Sequence, residues 1–217
     1  MFAEHQPQIA AFARRSPENF ARVLAFAMLS AHTQFSNVAA TLDDGPENDY
    51  RNRNVVFAWK AVAWRLILDQ AHEHFRILET SWRAYECDHT SPRVRANRRR
   101  QWSDYALAHL ARRVYGLGFV KAGFVLQMAY GVSGCLDTHN IRQFRVKRGI
   151  LAKPGRDAMP KTWARKARAY NDAIARCGGT HKLWDVWCDG MAERYQKTWR
   201  CGAAVSAEHL AIIPEKD

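Results

Sequence analysis

Apolar residues recur every three or four positions over much of the chain, the spacing that places them on one face of an α-helix. A strong run starts at Ser16-Pro17, a favourable helix start, and continues to about Ala31. We find no convincing strand pattern and no internal repeat. We therefore predict a nearly all-α chain, with helices over residues 17–31, 35–42, 55–68, 72–84, 102–115, 120–130, from 137 onward, 161–176 and 183–199.

The stretch from Tyr115 to Asn140 combines three features. Gly116-Leu117-Gly118 predicts a tight turn between two helices, because glycine adopts positive φ easily. The amides that open the second helix favour an anion such as a phosphate. Further on, Asp137-Thr138 predicts a helix N-cap that holds a carboxylate at the positive end of a helix. The stretch therefore offers a phosphate-binding turn and a fixed carboxylate.

The charge balance points to a polyanionic partner. The chain has 33 Lys+Arg against 21 Asp+Glu, a net charge of +12 and a pI of about 9.8. Nucleic acid is the first expectation and an anionic membrane the second. Several arginines lie in the segment 93–100, which is either a solvated basic face or a phosphate-contacting segment. We favour phosphate contact because the segment leads into the turn.

Other sequence features exclude some classes of protein. No run of 18 apolar residues is present, so we expect no transmembrane helix, and the first residues lack a signal-peptide pattern. Five cysteines without a tight framework favour reduced thiols and a cytoplasmic location. His72 and His74 flank Glu73 but lack further ligands at suitable spacing, so we predict no metal site. We expect the eight tryptophans mostly in the core, with Trp102 or Trp163, near basic residues, as the alternative candidates for stacking on bases.

The order of helix, Gly-hydrophobic-Gly turn, helix and Leu136-Asp137-Thr138-His139 resembles the helix-hairpin-helix (HhH-GPD) DNA glycosylase superfamily, of which endonuclease III is a member. Ala27-Met28-Leu29-Ser30-Ala31-His32 is similar to the family's Leu-Leu-Ser-Ala-Gln. The resemblance implies an all-α, two-lobed fold with the active site in the cleft between the lobes. We therefore expect residues 1–217 to form a single unit. One lobe would comprise residues 33–135, and the other would comprise residues 1–32 and 136–217.

The resemblance also implies roles for particular residues. Asp137 corresponds to the catalytic carboxylate, and the alternative is that it only caps the next helix. His32, helped by Gln34, corresponds to the residue that fills the gap left by a flipped base, and the alternative is a polar helix cap. Gly116 and Gly118 correspond to the phosphate grip. The remaining DNA-contact candidates are Phe119, Arg98, Arg99 and Arg142.

The sequence departs from the family pattern at the catalytic lysine and at the metal cluster. Counting from Gly116 places Val120 at the lysine position and Lys121 one residue later, a rotation of about 100° on a helix. Lys121 is then either turned away from the pocket, which predicts little covalent trapping by borohydride, or restored by an altered turn. Cys188 and Cys201 lack a close cysteine pair, so we predict no iron–sulfur cluster. The resemblance still allows a monovalent cation on the hairpin carbonyls.

Three functions remain open. The first is a DNA glycosylase that removes a damaged or modified base. The second is a bacteriophage thymidine-hypermodification transferase on the same fold, which joins an amino acid or polyamine to a pyrophosphorylated hydroxymethyl pyrimidine in DNA. The third is a non-catalytic DNA-binding module. In each case we expect a monomer that binds double-stranded DNA, without a membrane partner and, if phage-encoded, in the host cytoplasm.

Overall fold

The computed structural model describes residues 2–30, 38, 41–42, 58–87, 91–155, 157–186 and 212–213. Within these ranges the regular structure is helical and contains no strand, which confirms the all-α prediction. Its helices are α1 (Phe2–Ala13), α2 (Pro17–Leu29), α3 (Ala58–Glu86), α4 (Pro92–Arg113), α5 (Phe119–Tyr130), α6 (Thr138–Gln143), a 3-10 helix (Arg148–Leu151) and α7 (Pro160–Arg176), and residues 179–186 are also helical.

Helix α2 forms the centre of the core. Its N-cap is Ser16, whose Oγ accepts a hydrogen bond from the Asn19 amide at 3.2 Å, and Pro17 occupies the first helical turn. From Phe20 to Leu29 every side chain is buried except Arg22. Because α2 is apolar around its circumference, it packs against α1, α3 and α5 at once. The C-terminal end of α2 is therefore held firmly in the interior.

Helix α1, which the sequence analysis did not predict, is fastened to α3 and α5. Arg14 Nη2 lies 3.0 Å from Oε1 of the buried Glu79 and 2.9 Å from Oε2 of Glu86. The guanidinium also lies 5.6 Å from the ring centroid of Tyr130. Near the other end of α1, Gln6 Nε2 donates to the carbonyl of Met128 at 3.1 Å.

Three predicted helix boundaries are wrong. The helices expected over 55–68 and 72–84 form one helix, α3, because Asp69-Gln70-Ala71 contains no breaker. Helix α4 begins at Pro92, ten residues before the predicted start, because Ser91-Pro92 is a favourable entry and the arginines that follow tolerate a helix. The helix that follows Asp137 ends at Gln143, and Arg145 adopts a φ of +52°.

In the part of the chain described above, no helix is both long enough and apolar enough to cross a bilayer. The division into two lobes with a cleft between them stays a prediction.

Candidate functional site

The hairpin between α4 and α5 forms where the glycines predicted it. The Leu117 amide donates to the Val114 carbonyl at 3.2 Å, which closes the turn, and Gly116 has a φ of +83°. A Cβ at Gly116 would also lie 3.1 Å from both the Ala63 Cβ and the Trp59 ring. Gly116 is therefore required both by its backbone conformation and by the close approach of α3.

Gly118 serves a different purpose from the one its spacing predicts. Its φ is −119°, so only Gly116 of the two uses the left-handed region. A Cβ at Gly118 would lie 2.7 Å from Cε of Lys153, whose Nζ donates to the Leu117 carbonyl at 2.5 Å. Burial lowers the pKa of Lys153. The resemblance allows a monovalent cation on the carbonyls of this turn. The ammonium group of Lys153 already binds one of them, the Leu117 carbonyl.

Phe119 does not present its side chain to a DNA contact, which corrects the sequence prediction. Its side chain is 1% exposed, and its ring lies 5.8 Å from that of Tyr170 at 27° and 5.7 Å from that of Trp163. The first residue of α5 faces α7 and is an apolar anchor, so only its backbone amide remains for an anion. Trp163 and Trp102 are themselves buried, which also corrects their proposed role in base stacking.

The segment that connects α5 to α6 is fixed by contacts with α5 and α7. Gly131 ends α5 in the left-handed conformation, with a φ of +63°. The Gly134 carbonyl accepts from Tyr170 Oη at 3.0 Å, and the Tyr170 oxygen accepts from the Leu136 amide at 2.9 Å. This carbonyl lies so close to α5 that a Cβ at Gly123 would be 2.2 Å from it. The segment leading to Asp137 therefore has a defined path.

Asp137 caps α6, as the sequence predicted. Its Oδ1 accepts from the Asn140 amide at 2.9 Å, and the side chain is half-buried. Asn140 is buried and donates through Nδ2 to the Cys135 carbonyl at 2.6 Å, which agrees with a structural role. Burial, with the charge of Asp137 as the next cause, raises the pKa of the Cys135 thiol to about 12, so this cysteine is an inert packing residue. Capping fixes the orientation of the carboxylate.

Lys121 points toward the end of α2. Its Nζ donates to Ser30 Oγ at 2.8 Å, and Ser30 in turn donates to the Ala27 carbonyl at 2.8 Å. Because the serine proton is committed to Ala27, a lone pair of its oxygen faces the lysine. Burial lowers the pKa of Lys121, and the nearby Asp137 carboxylate acts in the opposite direction. The side chain of Lys121 is thus directed at the C-terminal end of α2, and whether it enters a nucleotide pocket stays a prediction.

Lys60 is a second buried lysine, which sequence reasoning missed. Its Nζ donates to the Leu29 carbonyl at 2.8 Å, one residue before Ser30, and the side chain has no exposed surface. Burial, followed by the charge of Lys121, lowers the pKa of Lys60 to about 8. The available signal was a lysine within the apolar stretch 57–68, where an ammonium group needs a partner. The cation binds a carbonyl at the negative end of α2.

The predicted DNA contacts on α4 and α6 lie at the surface. Arg98, Arg99 and Arg142 are exposed, and Arg99 Nη2 donates to the Gly131 carbonyl at 3.0 Å. His32 and Gln34 lie outside the described residues. The bond between Lys121 and Ser30 nevertheless brings the start of the His32 segment to the stretch that carries Asp137.

Among the described residues no group of three or more His, Cys, Asp or Glu side chains is arranged to hold a metal ion. Comparisons of the chain with protein-family models, with curated proteins and with solved structures gave no match.

Proposed function

We propose that the protein is a DNA glycosylase that takes one nucleotide out of double-stranded DNA and breaks the N-glycosidic bond of a damaged or modified base. The observation that carries this proposal is the position of Lys121 beside Ser30, at the C-terminal end of α2. The desolvated amine of Lys121 donates to Ser30 Oγ, and the charge of Asp137 raises the pKa that burial lowers. The hairpin turn precedes this lysine directly in the chain. An anion-binding turn, an amine and a carboxylate on one short stretch suit chemistry on a nucleotide.

Asp137 supplies the charge that the reaction needs. Cleavage of an N-glycosidic bond builds positive charge on the sugar, and a fixed carboxylate stabilises that charge. The Asn140 amide holds Oδ1 at 2.9 Å, so the carboxylate does not have to reorient during the reaction. Removal of one such preorganised charge typically costs 10²–10³-fold in rate.

Lys121 is the candidate nucleophile. Its neutral amine attacks C1′ of the flipped nucleotide, the C1′–N bond breaks, and the base leaves with the bonding electrons. The attached amine then gives one proton to the departed base, and its nitrogen lone pair expels the ring oxygen, which takes the second amine proton and leaves a Schiff base. Because burial lowers the pKa of Lys121, a larger fraction of the amine is neutral than for a solvated lysine. The bond from Lys121 to Ser30 supports borohydride trapping, whereas the register count along the helix favours little trapping.

The hairpin and the surrounding cations account for DNA binding. The amides at the start of α5 point out of the helix N-terminus and favour a phosphate. Lys153 adds a positive charge at the Leu117 carbonyl of the same turn, and Arg142 is exposed on α6. An enzyme of this kind extrudes its target nucleotide, because the bond to be broken is inaccessible within the stack.

The test is mass spectrometry of bases and nucleosides after incubation with duplex DNAs that carry varied damaged or modified pyrimidines and purines. We expect a free base from the wild type. Asp137→Asn should lose activity at least about 100-fold and retain duplex binding, because an asparagine oxygen still accepts the Asn140 amide. Full activity of Asp137→Asn would remove Asp137 from the mechanism.

Borohydride trapping tests the amine separately. Wild type should give a covalent protein–DNA adduct that is absent in Lys121→Gln and retained in Lys147→Ala, an exposed lysine used as the control. Base release without an adduct would make the enzyme monofunctional. A nucleoside of increased mass, with no free base, would replace the glycosylase proposal by the transferase. Duplex binding without either product would leave only a DNA-binding module.

A further inference from the structure

A groove lies between the second half of α4 and the start of α7, and neither Lys121 nor Asp137 lines it. Its volume is about 530 Å³, within the range of ligand pockets. Its lining includes Tyr105, His109, Arg112, Arg113, Lys161 and Trp163. We call it the α4–α7 groove.

The groove carries uncompensated positive charge. Its lining contains four cations, Arg112, Arg113, Lys161 and Arg168, and one acid, Asp104. The acid is already engaged, because Asp104 Oδ2 lies 3.4 Å from Arg168 Nε and Oδ1 accepts from an asparagine amide at 2.8 Å. Within the described part of the chain, the other three cations have no acidic side chain within 4.0 Å. An anionic ligand would complement them.

An exposed aromatic ring stands among these charges. Tyr105 is 49% exposed, and its ring lies against the His109 ring with the centroids 6.1 Å apart and the planes at 30°. The other side of the imidazole is tied to the core, because His109 Nε2 lies 3.1 Å from Nδ1 of the buried His74. Burial lowers the pKa of His109 to about 4, so its ring is neutral at pH 7 and adds no charge behind the tyrosine. The Tyr105 ring is thus held in place by His109 and leaves part of its surface exposed for stacking.

The groove lies next to the start of α5, because Trp163 of its lining has its ring 5.7 Å from that of Phe119. Arg113 is the last residue of α4, and the turn reaches Gly116 three residues later. A strand whose phosphate is held at the turn can therefore continue over the groove.

We propose that the α4–α7 groove binds a single-stranded DNA extension next to the duplex, with one base stacked on Tyr105 and the phosphates held by Arg112, Arg113 and Lys161. A positive groove with an exposed aromatic ring is the combination that binds single strands without reading their sequence. The proposal rests on DNA as the partner, which belongs to the proposed function, but does not depend on base release.

The test compares dissociation constants, by fluorescence anisotropy, for a blunt duplex and for the same duplex with a four-nucleotide single-stranded extension. We expect the wild type to bind the extended duplex about tenfold more tightly, the effect of roughly one stacked base. Tyr105→Ala should lose this gain without change in blunt-duplex affinity, whereas Tyr105→Phe should keep it. Val62→Ala is the control, an exposed apolar side chain on α3 outside the groove lining, and it should retain the gain.

An abasic extension separates stacking from charge. It should remove most of the gain in the wild type, and Lys161→Ala should lower the salt dependence of binding to the extended duplex by about one counterion. Equal affinity for both duplexes, or a full gain in Tyr105→Ala, would overturn the groove proposal while leaving base release as a separate result. Preference for the extended duplex without base release would instead overturn the glycosylase. Absence of DNA binding altogether would overturn both.

Discussion

Gly123, in the middle of α5, is the residue at which a single added methyl group should disturb the candidate site most directly. The ideal Cβ would lie 2.2 Å from the Gly134 carbonyl oxygen, whereas ordinary contact begins at 3.4 Å. The neighbour is backbone, so a side-chain rotation cannot relieve the clash. The segment that leads to Asp137 would have to move by about 1 Å, against attractive contacts that depend steeply on distance.

The cost can be worked from the contacts that hold this segment. Overpacking in a core costs about 1–3 kcal/mol, and replacement of a helical glycine by alanine returns up to about 1 kcal/mol. We expect Gly123→Ala to lower the free energy of unfolding by about 1–2 kcal/mol, and Tm by roughly 2–8 °C for a chain of this size. A misplacement of this size can cost about 100-fold in activity.

The assay for Gly123→Ala combines thermal unfolding with base release. Gly149→Ala is the matched control, because a Cβ there would meet no atom within 4 Å, and its stability should change by less than about 0.5 kcal/mol. A Gly123→Ala protein with wild-type Tm and activity would refute the reasoning, because it would show that the Gly134 segment can move aside freely.

Two further substitutions test Lys60 and Lys153, the lysines that bind backbone carbonyls. The depressed pKa of Lys60, about 8, means that its charged form penalises the folded state at lower pH, and that this penalty is relieved as the pH rises from about 8 toward the unfolded value of 10.5. Wild type should therefore gain stability relative to Lys60→Met over this window in chemical denaturation, while the exposed Lys161→Met should run parallel to wild type. Lys153→Ala should weaken duplex binding and reduce its salt slope by about one, measured by titration at several salt concentrations; an unchanged slope would show that the ammonium group on Leu117 meets no phosphate.

The sequence predicted the features that depend on local rules. The Ser16 cap, the positive φ of Gly116 and the Asp137 cap each involve groups within a few residues of one another. The break predicted within α3 failed for a related reason. Residues 69–71 separate the two predicted helices, but Ala71 and His74 continue the buried face toward Leu78.

The lysines of the site depend on distant partners, which no local pattern contains. Lys60 binds a carbonyl 31 positions away, Lys153 one 36 positions away, and Lys121 a hydroxyl 91 positions away. The orientation of Lys121 is an example of a feature that depends on a distant partner. A count along the helix gives its angle relative to the family pattern, but the direction of its ammonium group is set by where α2 ends.

The attachment of α1 has a consequence for the order of folding during synthesis. The bond from Gln6 to the Met128 carbonyl spans 122 positions. At about 5–20 residues per second, the ribosome delivers this acceptor roughly 6–24 s after the donor. Until then α1 lacks part of its binding surface, so we expect nascent chains arrested before α5 to remain open to proteolysis at α1. Helix α1 can thus complete its docking only after α5 has been synthesised.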